Sequence, residues 1–550
     1  MRILFFGRRF TYFRNFDTVL RELASRGHVI HLAVERETED GRRLVDGLVA
    51  EYPDNITVGV APGRADDDWS WLTTRLRPGL EHLRYQHKLF DDTPMLRQRS
   101  RERTPGLFVT VGDAVGRYAR WARRPIEAVL RWLERATPDD AEIRAYVEAQ
   151  RPDLVLITPL IALGSSQIDY LRAARSLGIP TALCVWSWDH LSSKALIREL
   201  PDRVFVWNDT QKREAQTLHR ITAGRIVVTG AQCFDKWFDR APSRDRKTFC
   251  RQIGLPADRP ILLYVCSAPF SGSPPEAPFV VDWIRRIRTS PAARLRNTPI
   301  LIRPHPSRRP EWEGIDLTPF ADVVLWGSDP LDASARADYF DSLYHSAVVA
   351  GLNTSAFIEA GILGRPVHTI LLPEWYESQM GTVHFRYLFE AGGGLLTSAT
   401  SYDEHLAQLD QALAQPSTEI RPFIREFVRP RGLEVAATPV FVEQVEAMKG
   451  LAVAPLAEPR WKRLALWMLN KGISWRHDLS REHLLYSERE LEKIGRMRTF
   501  HQTKAARERD KRERDRAIKA EKAAAHERAK RERELAIKAM KAAAKEQRRT

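Results

Sequence analysis

The chain has 550 residues, 43% hydrophobic and 29% charged, with only four cysteines; it is several times the usual domain length of roughly 150 residues, which implies more than one folding unit and excludes collagen-like, wholly disordered and disulfide-scaffold architectures. The formal charge of +15 is concentrated at the C-terminus, where residues 501–550 carry 18 Lys and Arg against 9 Asp and Glu. No apolar run approaches the roughly 20 residues of a spanning helix, and Met1–Gly7 is too short, and too soon followed by Arg, for a secretory leader, so a cytoplasmic protein is expected.

Arg2–Gly7 reads as a buried strand, Phe16–Ser25 as an amphipathic helix and His28–Val34 as a second strand, the opening of a parallel βαβ unit. The loop after the first strand holds Arg8, Arg9 and Asn15, but of a G-x-G-x-x-G fingerprint only Gly7 is present, which disfavours a bound dinucleotide. Arg8 is a candidate contact for an anionic acceptor or phosphate; simple surface solvation is the alternative. Residues 63–137, rich in Arg, Trp and Leu at helical spacing, read as a helical insertion. Asp66–Asp68 lies in a polar stretch of it and is not taken as a metal-binding motif. Strand-like runs resume at Leu154–Thr158, Thr181–Trp186, Val204–Trp207 and Ile226–Thr229, with helices such as Gln167–Leu177 and Gln211–His219 between them. Trp186–Lys194 follows a predicted strand and should face a cleft. There Asp189 or His190 is a candidate base for an acceptor hydroxyl, and Lys194 a candidate holder of an anionic acceptor or phosphate.

After a connector at Asp239–Asp245 a second alternation begins, with strands at Ile261–Cys266, Pro299–Arg303, Val323–Trp326, Ala347–Ala350 and Val367–Leu372. Ile300–Ser307 is an apolar strand ending in a cation and an imidazole set between two prolines. Arg303 suits a phosphate there, and His305, held rigidly, suits hydrogen bonding to a leaving diphosphate or general-acid work. His345–Ala360 carries a strand to Gly351 and then Asn353, Thr354 and Ser355 at a helix start. These residues either bind a diphosphate, with Glu359 accepting from ribose hydroxyls, or merely cap the helix. His384, with Arg386 and Gly392–Gly394, follows the last strong strand and is a further candidate at the cleft.

The Arg-Pro-His-Pro run Arg303–Pro306, the Asn-Thr-Ser-Ala-Phe-Ile-Glu-Ala run Asn353–Ala360 and the Leu-Gly-Arg-Pro-Val run Leu363–Val367 resemble the GT-B glycosyltransferase superfamily. The branch most similar holds the CDP-glycerol glycerophosphotransferases and UDP-N-acetylglucosamine 2-epimerase-like proteins of bacterial surface-polysaccharide biosynthesis. Trp186–Lys194 also looks like a W-D-N-L-S/T-S-K-G element of that superfamily, with His190 in place of Asn and Ala195 in place of Gly. The resemblance implies two Rossmann-like domains facing a cleft, at 1–240 and 241–450, the second holding the nucleotide-diphosphate-linked donor and the first the acceptor. It implies transfer of a sugar, or of glycerol phosphate, to an envelope polysaccharide or lipid-linked acceptor. The alternatives are a nucleotide-sugar 2-epimerase or hydrolase, and a scaffold that binds nucleotide or glycan without turnover. No bound cofactor and no metal are expected.

Residues 451–500 read as an amphipathic helical segment in which Trp461, Leu464, Ala465, Met468 and Leu469 fall at helical spacing, suited either to a membrane surface or to docking on the globular body. Residues 501–550 contain a repeat, Arg512–Glu527 echoed at Arg531–Glu546 with an offset of 19 residues. A solvated, charged helix is expected, drawn through residues 461–550 to anionic membrane at the inner face of the cell membrane. Nucleic-acid binding is disfavoured, because no aromatic residue follows Phe500.

Overall fold

The computed structural model describes residues 1–161, 167–268, 273–330, 332–415, 420–453, 461–473, 482–497 and 499–500, with single positions between 519 and 531. The charged repeat expected at 501–550 otherwise lies outside the described residues. Strands β1 (Arg2–Gly7), β2 (Val29–Val34), β3 (Ile56–Val60), β4 (Leu154–Thr158), β5 (Thr181–Cys184), β6 (Arg203–Val206) and β7 (Ile226–Val228) form one sheet, in the order β3-β2-β1-β4-β5-β6-β7. Strands β8 (Ile261–Val265), β9 (Ile300–Arg303), β10 (Val323–Leu325), β11 (Ser346–Gly351), β12 (Val367–Ile370) and β13 (Leu396–Ala399) form another, in the order β10-β9-β8-β11-β12-β13.

All the strand pairs are parallel. Parallel strands are covered by helices on both faces and so are apolar throughout; Leu154–Thr158 and Ile261–Val265 are buried at every position. In both sheets the strand order reverses beside the first strand, between β1 and β4 and between β8 and β11, which opens a crevice at the carboxyl ends. The two expected Rossmann-like α/β domains are therefore present. The strands not anticipated, β3 and β13, are sheet edges with partly exposed positions, where the apolar signal is diluted.

Helices Asp68–Arg84, Pro94–Arg101, Gly106–Tyr118 and Arg123–Ala136 build the insertion. A buried ionic network fastens it to the first domain. Arg77 donates to Glu134 at 2.9 Å and to Asp169 at 2.8 and 3.0 Å, while Arg198 donates to Glu81 at 3.0 Å and to Glu134 at 3.1 Å. This accounts for the buried Arg77, Glu81 and Glu134 of a segment that is otherwise core-like.

The second domain does not extend to residue 450 as expected. Helix Ala437–Glu446 returns to the first domain, where Phe441, Val442, Val445 and Met448 join Phe5, Phe16 and Phe205 in one core. Asp235 holds this crossing, accepting from Arg429 at 3.2 Å and from the amides of Ala437 and Thr438 at 3.0 and 2.6 Å. Helix Lys462–Ile473 docks on the insertion by burying Ala465 and Leu469, with Trp461 against Trp132.

Candidate functional site

Arg303 ends β9 and is 4% exposed. Its guanidinium reaches only the Ser342 hydroxyl at 3.3 Å and the Ser328 carbonyl at 3.5 Å, lies 5.3 Å from the Tyr339 ring, and forms no salt bridge among the described residues. Burial lowers its pKa, with Tyr339 and Asp338 opposing. The pocket for it depends on Gly327, at φ +105°, where a Cβ would stand 2.2 Å from the guanidinium. A buried cation without a carboxylate partner has unsatisfied demand for an anion.

His305 follows at the strand tip, partly exposed, with the Ser307 amide donating to its Nδ1 at 3.2 Å and the Ser307 hydroxyl 2.8 Å away. An accepting Nδ1 places the ring hydrogen on Nε2, a donor directed away from its own loop. Burial lowers the His305 pKa, and the charges of Arg308 and Arg14 add to this against Asp329.

Tyr339 links this strand tip to the second motif, because its hydroxyl donates to Glu359 in helix Ala356–Ile362. Burial pushes the Glu359 pKa up to about 7, with Tyr339 and Arg14 opposing. Arg14 belongs to the other domain, on the turn Phe10–Phe16 after β1, and its charge acts on His305, Tyr339 and Glu359 alike. His305, Tyr339 and Glu359 thus feel the charge of an arginine from across the boundary between the domains.

Other expected members of this site have structural work. Gly351 ends β11, and a Cβ there would stand 2.6 Å from the Val265 carbonyl, so close packing against β8 accounts for the glycine without a ligand. Asn353 donates to the Ser378 carbonyl, and the Thr354 hydroxyl accepts from the Ala356 amide at 3.3 Å. Ser355 is exposed at the helix start, and its side chain makes no capping bond.

A second group gathers around Trp186–Lys194. Asp189 is bonded by Lys194 at 2.8 Å, by the Ser193 hydroxyl at 2.9 Å and by the Ser187 hydroxyl. Burial would raise its pKa, but Lys194, His384 and the Ser187 bond hold it far below the usual carboxylate range. His384 comes from the second domain; its ring meets Trp188 edge-on at 4.7 Å, and burial lowers its pKa to about 4, leaving it neutral at pH 7.

His190 does not fit the role of base. It is fully buried, its Nε2 meets the Pro159 carbonyl at 2.8 Å and its Nδ1 accepts from the Trp186 amide at 3.4 Å, while burial lowers its pKa to about 3. With both nitrogens engaged by main chain, the ring organises the loop. Arg8 lies 3.8 Å from Glu35 at the mouth of the first sheet.

Sequence reading missed Arg14 and Tyr339. The signal for Arg14 is local, because Phe10, Phe13 and Phe16 are buried at a three-residue spacing and leave the intervening Arg14 outward. Tyr339 sits inside helix Ala333–Tyr344, where sequence offers no such cue.

No protein-family model matches the chain, and no curated protein matches it in sequence. Among solved structures it is similar to a glycosyltransferase from Rickettsia africae ESF-5, at 11% identity over 82% of this chain and 97% of that one, with a TM-score of 0.46. It is similar to WaaG, a glycosyltransferase involved in lipopolysaccharide biosynthesis, at 13% identity over 82% and 100%, with a TM-score of 0.41. It is also similar to the UDP-GlcNAc 2-epimerase from Neisseria meningitidis bound to UDP-GlcNAc, at 14% identity over 81% and 100%, with a TM-score of 0.45. The fold itself is read from the two sheets of this chain.

Proposed function

We propose that the chain is a GT-B type glycosyltransferase that moves a sugar, or glycerol phosphate, from a nucleotide-diphosphate donor to a hydroxyl of an envelope polysaccharide or lipid-linked acceptor. The observation that carries this reading is Arg303, a buried cation with no carboxylate partner among the described residues, at a strand's carboxyl end, beside His305 and Tyr339, on both of which the charge of Arg14 from the other domain acts. A buried guanidinium with a second arginine acting on its neighbours suits a diphosphate, whose charge grows as it leaves.

In the sugar-transfer step the acceptor oxygen bonds to the anomeric carbon as that carbon's bond to the diphosphate oxygen breaks. Arg303 and Arg14 neutralise the departing diphosphate and His305 donates its Nε2 hydrogen bond to it. Glu359 accepts from donor hydroxyls. The acceptor proton passes to Asp189, whose partly exposed carboxylate is ionised at the start of the step and returns the proton to solvent after it, while Lys194 holds an anionic group of the acceptor. With a lipid-linked acceptor the enzyme would work at a membrane surface; among the described residues no helix is long and apolar enough to cross one.

The test is a thermal-shift screen against UDP-, GDP-, CDP- and dTDP-linked sugars, followed by turnover with the stabilising donor. A ligand at 100 times its dissociation constant adds about 2.7 kcal/mol. Release of nucleoside diphosphate coupled to a new glycosidic product is expected. An interconverted nucleotide sugar, or free sugar formed without transfer, would replace this reading with an epimerase or a hydrolase.

A further inference from the structure

The helical insertion and helix Lys462–Ile473 packed on it expose apolar side chains that the chemistry above leaves unused. On helix Gly106–Tyr118 the buried side is Val109, Gly112 and Val115, and the opposite stripe, Leu107, Val111, Ala114 and Tyr118, is exposed. The chain then turns through Arg120–Ala122, where Trp121 is 81% exposed, into helix Arg123–Ala136, whose outward positions include Pro125, Ala128 and Val129. Helix Lys462–Ile473 packs alongside, with Trp461 and Trp132 in ring contact at 5.3 Å. Of the apolar residues expected to share one face of this helix, Ala465 and Leu469 are buried against the insertion, whereas Leu464 and Met468 point outward together with Trp467.

Single exposed apolar side chains are ordinary. Two tryptophans, a tyrosine, two leucines, two valines and a methionine on three helices and the turn between two of them are not. Trp and Tyr are the residues that settle at a membrane–water boundary, where an apolar ring and a polar edge meet different media.

Charge identifies what covers this face. Helix Lys462–Ile473 carries Lys462, Arg463 and Lys471 and no acidic residue. Beside Trp121, Arg117 and Arg124 form no salt bridge among the described residues, while Arg120 is paired with Asp91 at 2.9 and 3.0 Å. A second copy seated on the same patch would bring these cations against their own likenesses. An anionic bilayer would attract the net positive charge of this face, including Arg463, Arg117 and Arg124, while burying the aromatic rings.

We infer that the face formed by helices Gly106–Tyr118, Arg123–Ala136 and Lys462–Ile473 docks on an anionic lipid bilayer, with Trp121 and Trp467 seated at headgroup depth. This supplies the docking surface for the lipid-linked acceptor of the proposed function, and in that respect rests on it; the lipid binding itself is read without any turnover, so either can fail alone.

The experiment is co-sedimentation of the full chain with vesicles of phosphatidylcholine alone and of phosphatidylcholine mixed with phosphatidylglycerol, beside sedimentation velocity without lipid. Binding to the mixed vesicles at least about tenfold tighter than to neutral ones, and weakened by salt, is expected. The double variant Trp121→Ser/Trp467→Ser should lose at least about tenfold of that partitioning. Its thermal midpoint should stay close to that of the parent, since both rings are exposed. The inference is overturned by vesicle binding unchanged in the double variant, which would assign it to the basic tail alone. It is equally overturned by failure to bind anionic vesicles, or by a lipid-free dimer that the double variant abolishes.

Discussion

Tyr387 of the second domain donates its hydroxyl hydrogen to Glu214 of the first at 2.8 Å, a direct polar bond across the domain boundary. The bond ties helix Val383–Glu390 to helix Asp209–His219, and the Trp188–His384 contact ties the same helix Val383–Glu390 to the loop that carries Asp189.

Burial pushes the Glu214 pKa up to about 7 from 4.5, against the Tyr387 and Ser192 hydroxyls and Arg84. A carboxyl whose folded value is raised contributes stability that is fully present below the unfolded value and is lost as pH rises through the folded one. The stability advantage of the parent over Glu214→Gln should therefore shrink by an amount on the order of 3 kcal/mol between about pH 4.5 and pH 7.5. Thermal midpoints of both proteins across that range measure it. A constant difference would mean that Glu214 is ionised throughout.

Arg303→Leu separates binding from folding. Hydrogen bonds to charged groups are worth about 1.5–3 kcal/mol, so nucleoside diphosphate affinity should fall roughly 10- to 100-fold by calorimetric titration. The apo protein should lose little stability, because a buried cation without a carboxylate partner leaves with its desolvation cost. Arg303→Lys should recover only part of the affinity, since an ammonium lacks the planar fork. A large fall in apo stability with unchanged affinity would make Arg303 a structural residue.

His305→Ala should lower kcat by about 100- to 1,000-fold, the usual cost of one donor to a developing anion, with the fold intact by circular dichroism. Its pKa lies below the ordinary 6.5, chiefly through burial. The neutral, Nε2-donating ring therefore persists to lower pH than in a free histidine, and protonation displaces the Ser307 amide from Nδ1. The acidic limb of the parent's kcat profile should fall below pH 6.5 and vanish in the variant. A limb on the alkaline side would show that the imidazolium is the working form.

How much of this was legible depends on whether a residue's role is local. The interior strands are, because burial on both faces demands an unbroken apolar run, and Arg303–His305 stands out where such a run ends in charge between prolines. Edge strands β3 and β13 are not, since one exposed side lets Thr57, Gly59, Thr397 and Ser398 into them. The glycine at 351 is legible as a close approach, yet its neighbour is the Val265 carbonyl of the adjacent strand. His190 reads as reactive by type and position, but its burial depends on the path of Pro159, set by a different strand. Tyr339 and Arg14 acquire meaning only when two helices and two domains are brought together.

Arg14 offers the sharpest test of that juxtaposition. It is exposed on a short turn, so Arg14→Ala should leave the thermal midpoint within about 0.5 kcal/mol of the parent's stability. If its charge completes the donor site from the opposite domain, kcat/KM for the donor should fall about 10- to 100-fold. A charge needed chiefly as the diphosphate departs would appear in kcat, and one that only gathers donor into the cleft would appear in KM alone. Removing Arg14 also removes a cation that holds down the Glu359 pKa, itself about 7 in the parent. Without it Glu359 should bind its proton at still higher pH, and any kinetic limb governed by Glu359 should move to the alkaline side. Arg14→Lys restores the charge and should return that limb. If Arg14→Ala changes neither kcat/KM nor the limb, the donor is held by the second domain alone and Arg14 is no part of its site.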